Sequence, residues 1–583
     1  MPVTEPSSLV TVLLRPGQTG AQAVRTDLLW LLGLALIVIA TGIGLRDPWP
    51  ADEPRFALIA RDMVAHHQWL IPSVGGDVYA DKPPLFFWMI AAGLKLTGSL
   101  RLAFLLPSLL AGIGCVVLVY DLARRLWNRE TGLAAGLALL FCIQFAWQPR
   151  QAQIDATLCF FTTLGLYGLL RHCLLGPDWK WYLIGWAAAG FGIITKGVGF
   201  LPLLVLIPYA FSARGSWQPR PAIDGKWRWL LGPVALLLAV SVWLLPMLLA
   251  ARGDPALQAY RNEILFGQTV GRYTEAWHHR EPFWYFLVNV IPGLWLPLTA
   301  LLPWLIPHWR DSWRQRDLRV LLPLAWVVLV VLFFSFSTGK RGVYVLPALP
   351  AFALAAAPWL AAIAQRRKAQ WTVFGITAVI AVVMFAGAIY LVTHDARRQE
   401  LMALYDIDAP LPMLLMGGVA ALACAVARPG YGFVAWPLTL VLELLVVSWV
   451  INPVINDSRS GATLMRKVEA MTADVRELGL VAYKEQYLLQ LRRPSINFGH
   501  ARWREAEQEA ADAAAWQAQR PGRVLLVDDP THKLCFESTA ARQVGVASRE
   551  QWFLVEGPAN PACVARGNAA AAISYAPPGV SAP

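Results

Sequence analysis

Residues 28–56 read LLWLLGLALIVIATGIGLRDPWPADEPRF. Leu28 to Leu45 carry no charge, and Arg46, Asp47, Asp52, Glu53 and Arg55 then follow in quick succession. About 20 apolar residues span a bilayer as a helix. The run is too long for a typical signal-peptide core and lacks a small-residue cleavage site. It reads as a retained membrane helix that delivers a knot of charge to one membrane surface.

Composition extends that reading to the whole chain. Of 583 residues, 57% are hydrophobic and 15% charged, against roughly 25% charged in soluble proteins. Apolar runs recur near 27–46, 100–123, 131–149, 155–173, 180–195, 197–213, 229–250, 283–307, 320–337, 342–363, 370–393, 411–427 and 431–451. Each predicts a helix long enough to cross, giving an all-α polytopic membrane protein of about thirteen spans. The net charge of +12 is the excess expected of cytoplasmic loops in such a protein. No basic-aromatic module accompanies it, so no nucleic-acid partner is expected.

Orientation follows from the basic loops. Arg124, Arg125 and Arg129 share one loop, and Arg214, Arg220, Lys226 and Arg228 a second. Arg310, Arg314, Arg316 and Arg319 form a third, and Arg366, Arg367 and Lys368 a fourth. All four lie on one side, the cytoplasmic one, if the run 83–97 does not cross but lies along the outer surface. Residues 1–451 then form the transmembrane domain, with long outer loops at 47–99, 251–282 and 394–410. Residues 452–583 form an extracytoplasmic, periplasmic α/β domain. Leu478–Tyr483 and Arg523–Val527 read as strands and Glu505–Gln519 as a helix. The Ala/Gly/Pro-rich tail from about 565 reads as disordered. Cys535 and Cys563 lie in this domain and could pair if it is extracytoplasmic. The other five Cys fall in apolar stretches and read as small core residues.

The outer face holds the charges that need explaining. Asp52 and Glu53 precede a helical stretch. They read either as a cap with an acidic first turn or as carboxylates whose basicity is tuned at the membrane boundary. Asp81-Lys82-Pro83-Pro84 reads either as a surface pair or as a lysine presented to phosphate. Asp155 opens a helix, as a cap or as a functional acid. Lys196, in Thr195-Lys196-Gly197, either snorkels or binds phosphate. Arg272 is a candidate anion clamp. The adjacent His278 and His279 do not share a helix face, which argues against a metal site from that pair. Lys340 and Arg341 add two cations, and Ser337 to Pro347 lacks the spacing of a nucleotide phosphate loop. Together these describe an acidic centre ringed by cations, suited to an anionic lipid-linked substrate.

Asp52-Glu53-Pro54-Arg55-Phe56, Asp81-Lys82-Pro83-Pro84-Leu85, Thr195-Lys196-Gly197 and Lys340-Arg341-Gly342-Val343-Tyr344-Val345-Leu346-Pro347 occur in the order seen in one family. Over about residues 27–360 the chain resembles the lipid A aminoarabinose transferases, within the GT-C polyprenyl-phosphate-dependent glycosyltransferases. The resemblance implies an inverting transfer of a monosaccharide, such as 4-amino-4-deoxy-L-arabinose, from undecaprenyl phosphate to lipid A or another envelope acceptor. It implies a multi-pass protein of the bacterial inner membrane, embedded in membrane lipid, with its active site facing the periplasm. Asp52 and Asp155 match the catalytic carboxylates. Lys82, Lys196 and Arg272 match the lipid-phosphate cations, and Glu53, Arg55, Asp81, Lys340 and Tyr344 are expected to line the substrate. Asp81 stands where Glu is frequent, Thr269 where His is frequent, and Phe56 where Tyr is common. No motif requires a cofactor; a Glu/His metal site implied by the resemblance would fall on Asp81 and Thr269, which depart from that pattern, and a divalent metal stays open. Protein O-glycosylation from a similar donor is the alternative activity. A transporter would show inverted repeats with polar midplane residues, and none is visible.

Overall fold

The computed structural model describes residues 20–219, 225–271, 280–405, 407–500, 502–537 and 541–579. Nine helices among them are long and apolar enough to cross a membrane, beginning with Gly20–Ala40 and ending with Pro429–Met471. Two further spans are bent, Arg129–Leu140 with Ile143–Arg150 by 68° and Phe286–Leu294 with Thr299–Gln315 by 98°. That makes eleven where about thirteen are expected. The remaining two apolar runs are helical but short. One is Trp179–Ile193, and the other is a 3₁₀ turn, Leu201–Val205, running into Leu206–Ser212.

The break between these two short helices has a physical cause. Gly199 packs directly on Gly192, where a Cβ would lie 1.9 Å from the Gly192 carbonyl carbon. Only glycine permits that approach. It folds the chain back on itself and pins the intervening Thr195-Lys196-Gly197 turn.

Leu85–Thr97 is a 13-residue helix. At 1.5 Å per residue it reaches only about 20 Å, too short to cross. It packs instead against the helix Glu53–His66, with Phe86 and Phe87 fully buried. The basic loops meet at the other end of the bundle. There Arg319 donates to the Leu126 carbonyl, and Gln218 exchanges backbone bonds with the 316–318 segment.

The C-terminal domain carries a six-stranded mixed sheet. Its strands are β3 Glu477–Leu480, β4 Ser495–Asn497, β5 Arg523–Asp528, β6 Ala541–Ala547, β7 Glu550–Val555 and β8 Ile573–Tyr575, in the order β6-β7-β5-β3-β4-β8. A two-stranded hairpin, β1 Ser73–Val74 and β2 Asp77–Val78, lies in the first outer loop. β3 runs parallel to β4 and β5, and the other pairs are antiparallel. The predicted strands correspond to β3 and β5, and the predicted helix to Ala506–Ala518. Cys535 and Cys563 form a disulfide.

Two expectations are corrected. The tail beyond 565 is not disordered through its length: β8 pairs antiparallel with β4 and closes one sheet edge. Its composition concealed three residues, Ile573, Ser574 and Tyr575, whose backbone β4 completes. The boundary at 452 falls inside a helical stretch that runs on to Ser460 and breaks at Gly461, where φ is +71°, before the helix Ala462–Met471, so the domain joins the bundle through a helix. The two parts also share one hydrophobic core. Phe56, Met63, Phe86 and Phe87 from the first outer loop pack with Leu464, Tyr487, Leu526 and Trp552.

Candidate active site

The helix Glu53–His66 begins at Asp52, whose side chain makes no capping hydrogen bond. The capping reading of Asp52 therefore fails. Its Oδ2 instead lies 3.4 Å from both terminal nitrogens of Arg341. The neighbouring carboxylate has a different fate. Glu53 is buried and accepts from both Arg46 terminal nitrogens, from the Trp49 backbone N–H at 2.9 Å and from the Ala152 N–H at 3.0 Å. Arg46 also donates to the Arg150 carbonyl, and Arg150 to the carbonyls of Val38 and Thr41 and to the Ser448 hydroxyl. This lattice ties the first, third and last spanning segments together. Glu53, expected at the substrate, lines the cavity described below, but its oxygens already accept from protein donors, because a buried carboxylate needs partners.

Asp155 sits in the first turn of Ile154–Leu175, with Gln153 rather than Asp155 at the cap position. Its Oδ1 accepts from Lys196 Nζ at 2.6 Å. The Lys196 ammonium also lies 4.3 Å from the centroid of the Tyr344 ring, a cation–π arrangement. Arg341 connects the two carboxylates. Burial pulls its pKa down, but Asp52, Asp155 and Tyr344 outweigh that and hold the guanidinium above its ordinary value. Asp52, Arg341, Asp155, Lys196 and Tyr344 thus form one electrostatic unit drawn from four distant stretches of chain.

The Asp81–Pro84 box docks against the same turn, where the Leu85 N–H donates to the Ile194 carbonyl at 3.3 Å. Lys82 Nζ donates to the Asp81 carbonyl at 3.0 Å, and both residues are half-buried. Lys340, expected to line substrate, points inward. It is 5% exposed and donates at 2.7 Å to the carbonyls of Glu281 and Ser337, and burial lowers its pKa. The site cation of that doublet is Arg341. Arg55, also expected at the substrate, donates through Nε to Glu485 of the C-terminal domain at 2.7 Å. Arg272 lies outside the described residues. Among the described residues no group of three or more His, Cys, Asp or Glu is placed to hold a metal ion.

On the side of Asp52 that faces the first and last spanning helices there is a cavity of about 360 Å³. Asp52, Arg46, Arg150 and Trp49 give it a polar wall, and Ile39 and Leu105 belong to its apolar wall. Arg46 and Arg150 were missed from the sequence. Arg46 did carry a signal, since a cation directly after an outward-running helix opposes the positive-inside trend.

Comparisons with known proteins agree with this architecture. A family model described as dolichyl-phosphate-mannose-protein mannosyltransferase matches residues 81–245. The crystal structure of ArnT from Cupriavidus metallidurans bound to undecaprenyl phosphate superposes with a TM-score of 0.72 at 22% identity, covering 92% of this chain and 98% of that one. The fold is that of a GT-C membrane glycosyltransferase, and the chain is a multi-pass bacterial membrane protein. The undecaprenyl phosphate-alpha-4-amino-4-deoxy-L-arabinose arabinosyl transferase of Pseudomonas aeruginosa is 29% identical over 544 residues, 90% of this chain and 89% of that protein. The enzyme of the same name from Erwinia tasmaniensis is 29% identical over 465 residues, 76% and 80% of the two chains. In sequence and in fold the chain is similar to the aminoarabinose transferases.

Proposed function

We propose that this enzyme moves a monosaccharide, 4-amino-4-deoxy-L-arabinose or a close relative, from undecaprenyl phosphate to a lipid A phosphate at the periplasmic face. The observation that carries the reading is the single cluster of Asp52, Arg341, Asp155 and Lys196, with carboxylates and phosphate-seeking cations interleaved. In the reaction an acceptor oxygen attacks the anomeric carbon. The bond from that carbon to the phosphate oxygen breaks, and the configuration inverts. Polyprenyl phosphate leaves with the electron pair. Lys196 and Arg341, joined by Lys82 and Arg272, stabilise the charge that develops on it. Asp52 orients the acceptor, and takes its proton where the acceptor is a hydroxyl rather than an ionised phosphate. Asp155 holds Lys196 and positions the sugar. The cation-free outer loops expected of the positive-inside rule are absent here because these cations serve the substrate.

Mass spectrometry of lipid A from strains with and without the gene tests the assignment: a pentosamine-sized addition to a phosphate disappears on deletion. The match of residues 81–245 to a protein mannosyltransferase model favours protein O-glycosylation as a second reading, and mass loss from envelope proteins with unchanged lipid A would select it. For the site itself, Asp52→Asn lowers the turnover by about 10²-fold, the scale of misplacing a group that orients a reactant, with the donor KM little changed. Transfer unaffected by that substitution removes Asp52 from the mechanism.

A further inference from the structure

Arg55 and Asp52 are three residues apart at the start of one helix, and side chains at that spacing are neighbours. A guanidinium there can reach the Asp52 carboxylate, fill its lone pairs and neutralise it. A carboxylate held that way by an arginine fork has no oxygen left to orient an acceptor; where the acceptor is a hydroxyl, the arginine also lowers the aspartate pKa by about 1–3 units and weakens it as a base. In the structure Arg55 turns away. Its Nε donates at 2.7 Å to Glu485 Oε1, a residue 430 positions later on the C-terminal domain. Asp52 is left with two long contacts of 3.4 Å to Arg341.

We infer that Glu485 is a positioning residue: it holds Arg55 off Asp52, so that the C-terminal domain keeps the acceptor-facing carboxylate available. This rests on the reading of Asp52 given above. The surroundings of Glu485 are built for that hold. His500 Nδ1 lies 3.5 Å from the same Glu485 oxygen, and the His500 ring packs edge-on against Tyr79 at 5.8 Å. The Arg55 guanidinium lies 5.9 Å from the centroid of the Tyr79 ring, and Tyr79 is 3% exposed. The His500 backbone N–H in turn donates to Asp77 Oδ2 at 3.0 Å. Burial pulls the Arg55 pKa down, but the Glu485 carboxylate beside it holds the guanidinium above its ordinary value.

The domain cannot drift from this position cheaply. Arg61, nearly two turns further along the Asp52 helix, donates to the carbonyls of Leu488 and Leu489. Tyr575, on the last strand β8, bonds Asp62 Oδ1 at 3.1 Å. The helix that begins at Asp52 is therefore gripped along its length by the domain that supplies Glu485.

The test uses the full chain in lipid nanodiscs, with undecaprenyl-phosphate aminoarabinose as donor and lipid A as acceptor. Glu485→Gln should lower kcat by about 10- to 100-fold, the scale of misplacing a group that orients a reactant, with the donor KM within twofold. The double variant Arg55→Gln/Glu485→Gln should regain activity to within about fivefold of the parent, because the guanidinium that quenches Asp52 is gone. A bridge that only supports the fold predicts the opposite order, with the double variant no better than the single. That order, or a fully active Glu485→Gln, overturns the inference. Should Glu485→Gln fail to fold, the double variant leaves neither charge unpaired, and its activity decides: near-parental turnover supports the inference, and a loss as deep as that of Asp52→Asn overturns it. An Asp52→Asn enzyme working at the parental rate would sink the Asp52 reading itself, whatever the Glu485 variants do.

Discussion

Two charged doublets stand at the site, and each is split. In Asp52-Glu53 the second residue is buried under four protein donors and the first faces the site. In Lys340-Arg341 the first residue is buried against two carbonyls and the second faces Asp52. Adjacent residues at a helix start or an extended turn point in different directions. One member of each doublet therefore anchors its segment while the other faces the candidate site. The members that face the site meet each other, and those that face inward fasten their segments to the bundle. A charge doublet at a membrane surface is thus best read as one anchor and one working group.

The comparison can be broken most severely at Glu53. Glu53→Gln leaves Arg46 buried without its carboxylate, a loss of about 3–5 kcal/mol for a broken buried pair. The expected outcome is a lowered melting temperature and poor recovery of folded protein, whereas Asp52→Asn melts like the parent. Equal melting temperatures for the two variants would erase the distinction between anchor and working group. The second doublet should give a smaller effect in each direction. Arg341→Gln should cost about 10²–10³-fold in transfer rate, the range for losing one electrostatic donor, with thermal stability unchanged. Lys340→Met should destabilise by about 1–3 kcal/mol through its two orphaned carbonyl partners. Its turnover per folded molecule should stay near that of the parent, measured by active-site titration.

The smallest effect is one of pH, and it lies in the C-terminal domain. Glu509 is 3% exposed, and burial pushes its pKa up to about 7 even though its Oε1 accepts from the Ala482 N–H. An acid whose folded pKa is raised binds more protons folded than unfolded between its two pKa values. Stability therefore falls as pH rises from about 4.5 toward 7 and levels off above. The melting temperature should decline across that window, and Glu509→Gln should flatten the decline. An unchanged slope in the Gln variant would assign the pH dependence elsewhere.

Most of the bundle was legible because length and hydrophobicity alone specify a membrane helix. Asp52, Asp155, Lys196 and Tyr344 were legible because each sits at a helix end or turn on the side away from the basic loops. That Lys340 turns inward and Arg341 faces Asp52 was not legible, since a sequence does not say which of two neighbouring side chains a turn will face inward. Arg55 was read as a substrate contact, since its partner Glu485 lies in another domain. Leu201–Ser212 was read as a full span, since the close contact of Gly192 with Gly199 cannot be seen in an apolar run. β8 was hidden in a tail whose composition resembles disorder, because its stability comes from pairing with β4.

By itself the sequence determined that this chain lives in a membrane, which loops carry its basic excess, and that carboxylates and cations gather on the opposite side. Those properties depend on transfer free energies summed along the chain, and need no partner. The tertiary structure decided which charges are neutralised and which remain available. A buried ion is tolerated only with a partner, and the partners of Arg55, Glu53 and Asp155 come from residues 430, 7 and 41 positions away. Only folding brings such residues together, and the same packing that fills Glu53 with donors leaves its neighbour Asp52 facing Arg341 across the candidate site.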